Sequence, residues 1–455
     1  MKQFLKFLFV IFILTGFCTQ AKAMIFESPV QSALKKSNVP KSALISVSFK
    51  EINSGKSAIE LNETVPMQPA SIQKITTLLP SVDTLGENYE FKTQLYKTGN
   101  NGLFLKLGAD PFLTKRDLND MIKSLRNYKM STVKTFNIDD SVLDSNEWGE
   151  GWQWDDDLNP LTPKFGAYNI DNNLFTVSIL PTAPGAPADI STDVFYPTAF
   201  MNNVTTGGKN DVKLARKNYI SPDVINADGT VSSDIIVQIP VNYPRRYFVL
   251  RLEESLRNQK VSYYGNFDRL KLPAKNIYLI SEVKHPLNSA EDAILKNSNN
   301  MVAETVFKLA GGKYLSSMGS TESAIQMFND YYKKLGVCTD NIKIVDGSGV
   351  SKNNLMTADF ITEVLLKATL DDKIDLKNHM AVPGEGTLTD RMLYFKDKLK
   401  AKTGTLTNIS SIAGYLTAKS GKTYAFCIMV NDPTSKSADK KAFEEYLLRE
   451  AFDSL

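Results

Sequence analysis

Three short elements stand in one order along this chain: Ser71-Ile-Gln-Lys74, Ser298-Asn-Asn300 and Lys402-Thr-Gly404. Each is weak alone. Ser-x-x-Lys also occurs at Ser32, Ser131, Ser281 and Ser437, Ser-x-Asn recurs at Ser351, and Lys-[Ser/Thr]-Gly recurs at Lys97 and Lys419. Context sorts them. Ser71 follows Pro69-Ala70 and opens Ile72–Leu79, an apolar stretch with helical spacing. Positions i and i+3 share a helix face, so Lys74 lies one turn from the Ser71 hydroxyl. Ser298 precedes the helical pattern Met301–Ala310. Lys402-Thr-Gly404 lies in the strand-like Leu399–Thr407, followed by strand-like Ile412–Thr417 and Thr423–Val430, which Ser420-Gly421 joins as a hairpin.

Taken singly, Ser71 and Ser298 read equally well as helix N-caps, Lys74 as a solvated lysine and Gly404 as a bulge. Together and in order, the elements point to acyl transfer by a serine with a lysine beside it. The chain has only His285 and His379 to offer as histidine bases. A serine hydroxyl needs a base. Lys74 can act only when neutral, so its pKa must be lowered by burial or by nearby positive charge, and Lys402 is the expected source of that charge. Ser298 is expected to link the two lysines, and Asn300 to meet both substrate and Lys74. Gly404 would leave room for an extended substrate along the strand edge.

At these residues the chain resembles the penicillin-recognising serine enzymes. The long insert between Ser71 and Ser298 resembles the class C low-molecular-mass penicillin-binding proteins, the D-alanyl-D-alanine carboxypeptidase/endopeptidase family. Leu107-Gly-Ala-Asp-Pro111, Gly151-Trp-Gln-Trp154, Asp346-Gly-Ser-Gly-Val-Ser351 and Ala401-Lys-Thr-Gly-Thr405 agree with it, while Asn299 stands where many relatives carry Asp. The resemblance implies an α/β (α+β) fold. A transpeptidase-like (β-lactamase-like) domain would carry a β-rich insert of two nested small domains. It implies an acyl-enzyme on Ser71, formed with loss of D-alanine or of a cross-bridge donor and then hydrolysed. Peptidoglycan stem peptides are the implied substrates and β-lactam antibiotics the implied inhibitors. Ser71, Lys74, Ser298, Asn300 and Lys402 would be catalytic, and Thr403, Gly404 and Thr405 would bind substrate, with the Ser71 and Thr405 N–H groups as the oxyanion hole. Asp156 would recognise the amino end of the peptidoglycan side chain, although Trp152, Trp154 and Asp155–Asp157 read equally as two core tryptophans beside a solvated turn. Asp346–Gly349 is expected to shape a turn, and His285 to be structural. Two other readings are a β-lactamase or esterase, and a non-catalytic cell-wall or β-lactam-binding protein.

Residues 1–23 read as a signal peptide: Lys2 and Lys6, apolar Phe7–Phe17, then Ala21-Lys-Ala23. This predicts a periplasmic protein with at most peripheral membrane contact. The whole chain has 53 basic and 50 acidic residues, and the leader's Lys2, Lys6 and Lys22 account for the excess, so no basic surface for nucleic acid is implied. No Cys/His cluster has metal-ligand spacing, and no cofactor is expected. Cys427 reads as a core thiol; pairing with Cys338 is left open. The expected division is residues 24–92 with 284–455 for the transpeptidase-like domain, 93–175 with 240–283 for an inserted domain, and 176–239 for a β domain nested in it. Within the insert, Leu103–Leu107, Leu174–Leu180 and Ile235–Ile239 read as strands, Pro181–Pro187 as a connection and Asn202–Asn210 as a polar loop.

Overall fold

The computed structural model describes residues 28–455 apart from 195, 197, 217–222 and 371–374; the expected leader lies outside the described residues. Both ends of the chain build one antiparallel sheet, in the order Leu399–Leu406, Ile409–Thr417, Thr423–Asn431, Leu44–Glu51, Ser57–Leu61. The three expected C-terminal strands and the Ser420-Gly421 hairpin are present. Their near-continuous apolar runs have a physical cause: both faces of the sheet are covered. Ala413, Tyr415, Ala425, Cys427 and Met429 face one hydrophobic cluster, shared with the helices Gln73–Leu85, Asn300–Leu315, Thr321–Leu335 and Ala358–Leu370. Their alternating neighbours Ile412, Leu416, Phe426, Ile428 and Val430 face another, under the helix Ser437–Ser454. Cys427 is buried in the sheet, Cys338 is exposed, and both are free thiols. Among the described residues no helix is long and apolar enough to cross a membrane.

The chain leaves this body along Glu90–Thr98 and returns along Ile277–Pro286, which pair antiparallel. These strands belong to a five-stranded sheet with Gly102–Lys106, Thr135–Asp139 and Phe267–Arg269. Two three-stranded sheets follow. One joins Leu174–Leu180 to Ile235–Pro240 and Asp189–Thr192; the other joins Val224–Val231 to Ala199–Thr206 and Asp211–Arg216. All three sheets share one hydrophobic cluster, including Leu105, Phe136, Val177, Ile225 and Tyr247.

Two features of the insert differ from expectation. Asn202–Asn210 is not simply a polar loop, because Ala199–Thr206 is a strand. It buries only Val204 and Thr206, and is held by parallel backbone pairing to Val224–Val231, a distant partner that a local pattern does not reveal. The insert also contains the helices Lys115–Lys123 and Pro244–Asn258. The second hides its amphipathic pattern by burying a charge. Arg251 sits among Tyr247, Phe248 and Leu252 and is paired with Asp171, Asp193 and Glu254.

The helix Gln73–Leu85 carries Pro80 in its interior. A proline has no N–H, so the Thr76 carbonyl four residues earlier loses its helical donor. The buried Tyr332 hydroxyl, reaching from Thr321–Leu335, donates to it at 2.7 Å. Tyr332→Phe should therefore lower stability by about 1–3 kcal/mol, measured by denaturant unfolding. Adding Pro80→Ala, which restores the missing N–H, should recover part of that loss; no recovery would show that the two sites are unconnected.

Candidate active site

Ser71 sits in the single 3-10 turn Ala70–Ile72 that leads into the helix Gln73–Leu85. Ala70 is held at φ 50°, a left-handed conformation costly for alanine. Gly349 makes this turn attainable, since a Cβ there would lie 2.1 Å from the Ala70 carbonyl oxygen. Ser298, at φ 62°, is a second left-handed residue of the site. Beside it the Asn299 side chain accepts from Val302 N at 3.1 Å, so Asn299 caps the helix Asn300–Leu315.

Lys74 is wholly buried, and its Nζ lies 2.9 Å from Ser71 Oγ. The same nitrogen donates to Asn300 Oδ1 and to the Ser348 carbonyl, each at 2.6 Å. Asn300 Nδ2 donates to the Leu161 carbonyl at 2.7 Å, which fixes which end of the amide faces Lys74. A neutral amine has two N–H groups and one lone pair. Two acceptors that cannot donate take the two N–H groups, and the lone pair is left for the Ser71 O–H. Burial lowers the Lys74 pKa to about 7, against the opposing pull of Asp346 and Glu304. Burial thus does what Lys402 was expected to do.

Two carboxylates hold this arrangement: Glu304, which the sequence did not single out, and Asp346, which was expected only to shape a turn. Glu304, one turn past Asn300, accepts from Gly347 N and Ser348 N and so fixes the two peptides that lead into the Ser348 carbonyl, while Asp346 holds the N–H of that carbonyl's own peptide at Gly349. The Glu304 pKa is pushed up to about 7 by burial and then by Asp346. Asp346 accepts from Gln73 Nε2, Gly349 N, Ser351 N, Asn354 Nδ2 and Trp152 Nε1 at 2.7–3.1 Å. Asp346–Gly349 is therefore more than a nearby turn, since it supplies a ligand to the base. The signal available in sequence was a glutamate inside the apolar run Met301–Phe307, at i+4 from Asn300.

Lys402 is also wholly buried, and its Nζ donates to the Thr403 carbonyl at 2.7 Å. Its pKa is held well below the usual lysine range, by burial and then by Lys74. Among the described residues Ser298 forms no hydrogen bond to either lysine; its side chain lines the cleft instead. Gly404 also has a reason within the fold itself. A Cβ there would lie 2.3 Å from Ser411 Oγ, 2.9 Å from Ser71 N and 3.0 Å from the Pro69 carbonyl oxygen. The missing side chain admits the nucleophile's own turn against the strand, and Ser411 Oγ donates to that Pro69 carbonyl at 2.6 Å.

A cleft of about 600 Å³ runs over these groups. Ser71, Ser298, Asn300, Thr403 and Thr405 line it from the core, and Gln153, Asp156, Asn159, Leu161 and Thr162 from the insert. Asp157 turns away to Arg216, at 3.2 Å. Trp152 is buried and donates to Asp346, whereas Trp154 is 65% exposed, so only one of the two tryptophans is core. His285 meets the Leu107–Pro111 motif from the strand Ile277–Pro286: it pairs with the buried Asp110 at 2.7 Å, which raises its pKa. His379 is held by Glu291 and Asp292.

The family described as "D-Ala-D-Ala carboxypeptidase 3 (S13)" matches residues 27–450. The D-alanyl-D-alanine carboxypeptidase DacB of Haemophilus influenzae is 24% identical over 444 residues, 91% of this chain and 92% of that protein. A D-alanyl-D-alanine carboxypeptidase of an Actinomadura species is 26% identical over 396 residues, 80% of this chain and 73% of that one. The crystal structure of penicillin binding protein 4 from Haemophilus influenzae shares the fold, with a TM-score of 0.84 at 23% identity over 93% of this chain and 99% of that one.

Three outcomes follow for acylation, each measured with a reporter β-lactam. The rate should rise about tenfold per pH unit below about 7 and level off above it, because only neutral Lys74 acts. Glu304→Gln removes a charge that favours the Lys74 ammonium, so the rising limb should move to lower pH; a shift upward would contradict this electrostatic account. Gly404→Ala should slow acylation by roughly 100-fold with the fold intact by circular dichroism, because it displaces the nucleophile's turn.

Proposed function

The chain belongs to the D-Ala-D-Ala carboxypeptidase 3 (S13) family, the serine-type D-alanyl-D-alanine carboxypeptidases. From that premise we propose how its residues carry out the reaction. Ser71 is the nucleophile and neutral Lys74 its base. Ser71 Oγ attacks the carbonyl of the D-Ala-D-Ala peptide bond as its proton passes to Lys74. The backbone N–H groups of Ser71 and Thr405 hold the oxyanion, worth ~100–1000-fold in rate per donor. The proton then reaches the leaving amine through Ser298, D-alanine departs, and water releases the acyl group from Ser71. The terminal carboxylate lies against the Thr403 and Thr405 hydroxyls, with the Lys402 ammonium beneath; the incoming negative charge favours that ammonium form.

The observation that carries this reading is the Lys74 amine 2.9 Å from Ser71 Oγ, with its N–H groups already occupied. The substrate class is peptidoglycan stem peptides. When a cross-bridged residue stands in place of D-alanine, the same steps give endopeptidase action. Asp156 meets the amino end of the side chain across the cleft; its neighbour Asp157 is held by Arg216. β-Lactams acylate Ser71 through the same groups. Residues 1–23 direct the protein to the periplasm. The insert divides as residues 93–175 with 240–283 around the nested 176–239, and its first part forms the cleft's second wall.

A fluorescent penicillin should label the mature protein covalently, and Ser71→Ala should abolish the band on a denaturing gel. Wild type should also release D-alanine from a stem peptide. Penicillin consumed without a band would identify a β-lactamase, and neither label nor consumption a binding protein.

A further inference from the structure

The cleft does not end at the groups that the reaction uses. Past Thr405 it continues along Leu406, Thr407 and Asn408 to Ser435, Ser437 and Lys440. Lys440 is only 2% exposed. Its ammonium donates to the Asp432 carbonyl at 3.0 Å and the Ser435 carbonyl at 2.7 Å. Among the described residues no carboxylate lies within ion-pair distance of it. The neighbouring acid, Asp432, is committed to its own loop, accepting from Thr434 N, Thr434 Oγ1 and Ser435 N at 2.7–3.3 Å. The 18-residue helix Ser437–Ser454 begins at this point, without a side-chain cap on its first amides. A cation taken out of water costs several kcal/mol unless an opposite charge repays it. Here a buried lysine, the Ser437 side chain and a helix N-terminus meet at one end of the cleft, while the Ser435 hydroxyl is held by Asp432.

We propose that this end of the cleft is a carboxylate subsite for the acyl-donor peptide, with Lys440 as the recognising group. The inference rests on the peptidase reading given above, which fixes the direction of the peptide. The terminal carboxylate lies at Lys402 and Thr403 and the oxyanion at Thr405, so the donor side of the substrate continues toward Thr407. Thr403 to Thr407 spans roughly 13 Å at strand spacing. A peptide paired along the edge strand therefore brings a side-chain or α-carboxylate two to three residues before the scissile bond to Lys440. The ligand class is an acidic peptide ending in D-Ala-D-Ala, and the lysine selects it over the amidated form.

The test compares two synthetic peptides ending in D-Ala-D-Ala, one with a free carboxylate two to three residues before the scissile bond and one with that group amidated. D-alanine release gives kcat/KM for each. Wild type should prefer the free carboxylate by roughly tenfold or more. In Lys440→Met the ratio of the two constants should fall to near one, and Lys440→Arg should keep the preference. Equal rates on both peptides in wild type would overturn the subsite alone. So would a Lys440→Met variant that keeps the wild-type ratio. No D-alanine from either peptide would overturn the peptidase reading and the subsite with it. The wild-type comparison needs no variant, so a poorly folding substitution does not blunt the test.

Discussion

A lysine amine without solvent must find its partners inside the protein, and Lys74 draws them from three distant parts of the chain. Ser71 lies on its own helix face, Asn300 opens a helix more than two hundred residues later, and Ser348 presents a backbone carbonyl from a third segment. Much of the surrounding structure serves to hold that geometry. Glu304 and Asp346 pin the peptides of Asp346–Gly349, and Gln73 and Thr77 bind the same loop from the nucleophile helix. Ser411 and Gly404 bring the nucleophile's turn against the edge strand.

This arrangement works against the fold that carries it. An unfolded lysine remains protonated up to its ordinary value of 10.5, whereas buried Lys74 gives up its proton above about 7. Between those values the unfolded chain binds more protons, so Lys74's contribution makes stability rise with pH across that window and leaves its full cost below it. A shift of this size corresponds to several kcal/mol. The strained φ angles of Ala70 and Ser298 add to the burden. The double-sided core repays it: helices cover both faces of the five-stranded sheet.

The core was legible in sequence because its signals are local. Strand alternation hidden in apolar runs, the hairpin at Ser420-Gly421 and the i to i+3 spacing of Ser71 and Lys74 need no distant partner to be read. The three site elements were legible for the same reason, as short patterns in a fixed order. What was not legible depends on partners that only the fold supplies. The strand Ala199–Thr206 exists by pairing with Val224–Val231, and Pro244–Asn258 hides its buried face behind Arg251. Glu304 looks like one more helix glutamate until its donors are found at Gly347 and Ser348. Gly404 has a second role that sequence could not show, because sequence shows a missing side chain but not the backbone packed against its place.

The same distinction explains why the insert cannot be treated as a passenger. Asn300 is oriented through the Leu161 carbonyl, and Asp346 takes one of its hydrogen bonds from Trp152. Gly151 packs where a Cβ would lie 2.5 Å from Ser351 Oγ. Two of the groups that position the base are thus bonded to residues from the far side of the cleft. The wall that faces substrate also sets the amide that Lys74 reads. A displacement of Gly151–Thr162 would be felt at the nucleophile without altering any of the three elements that announce it.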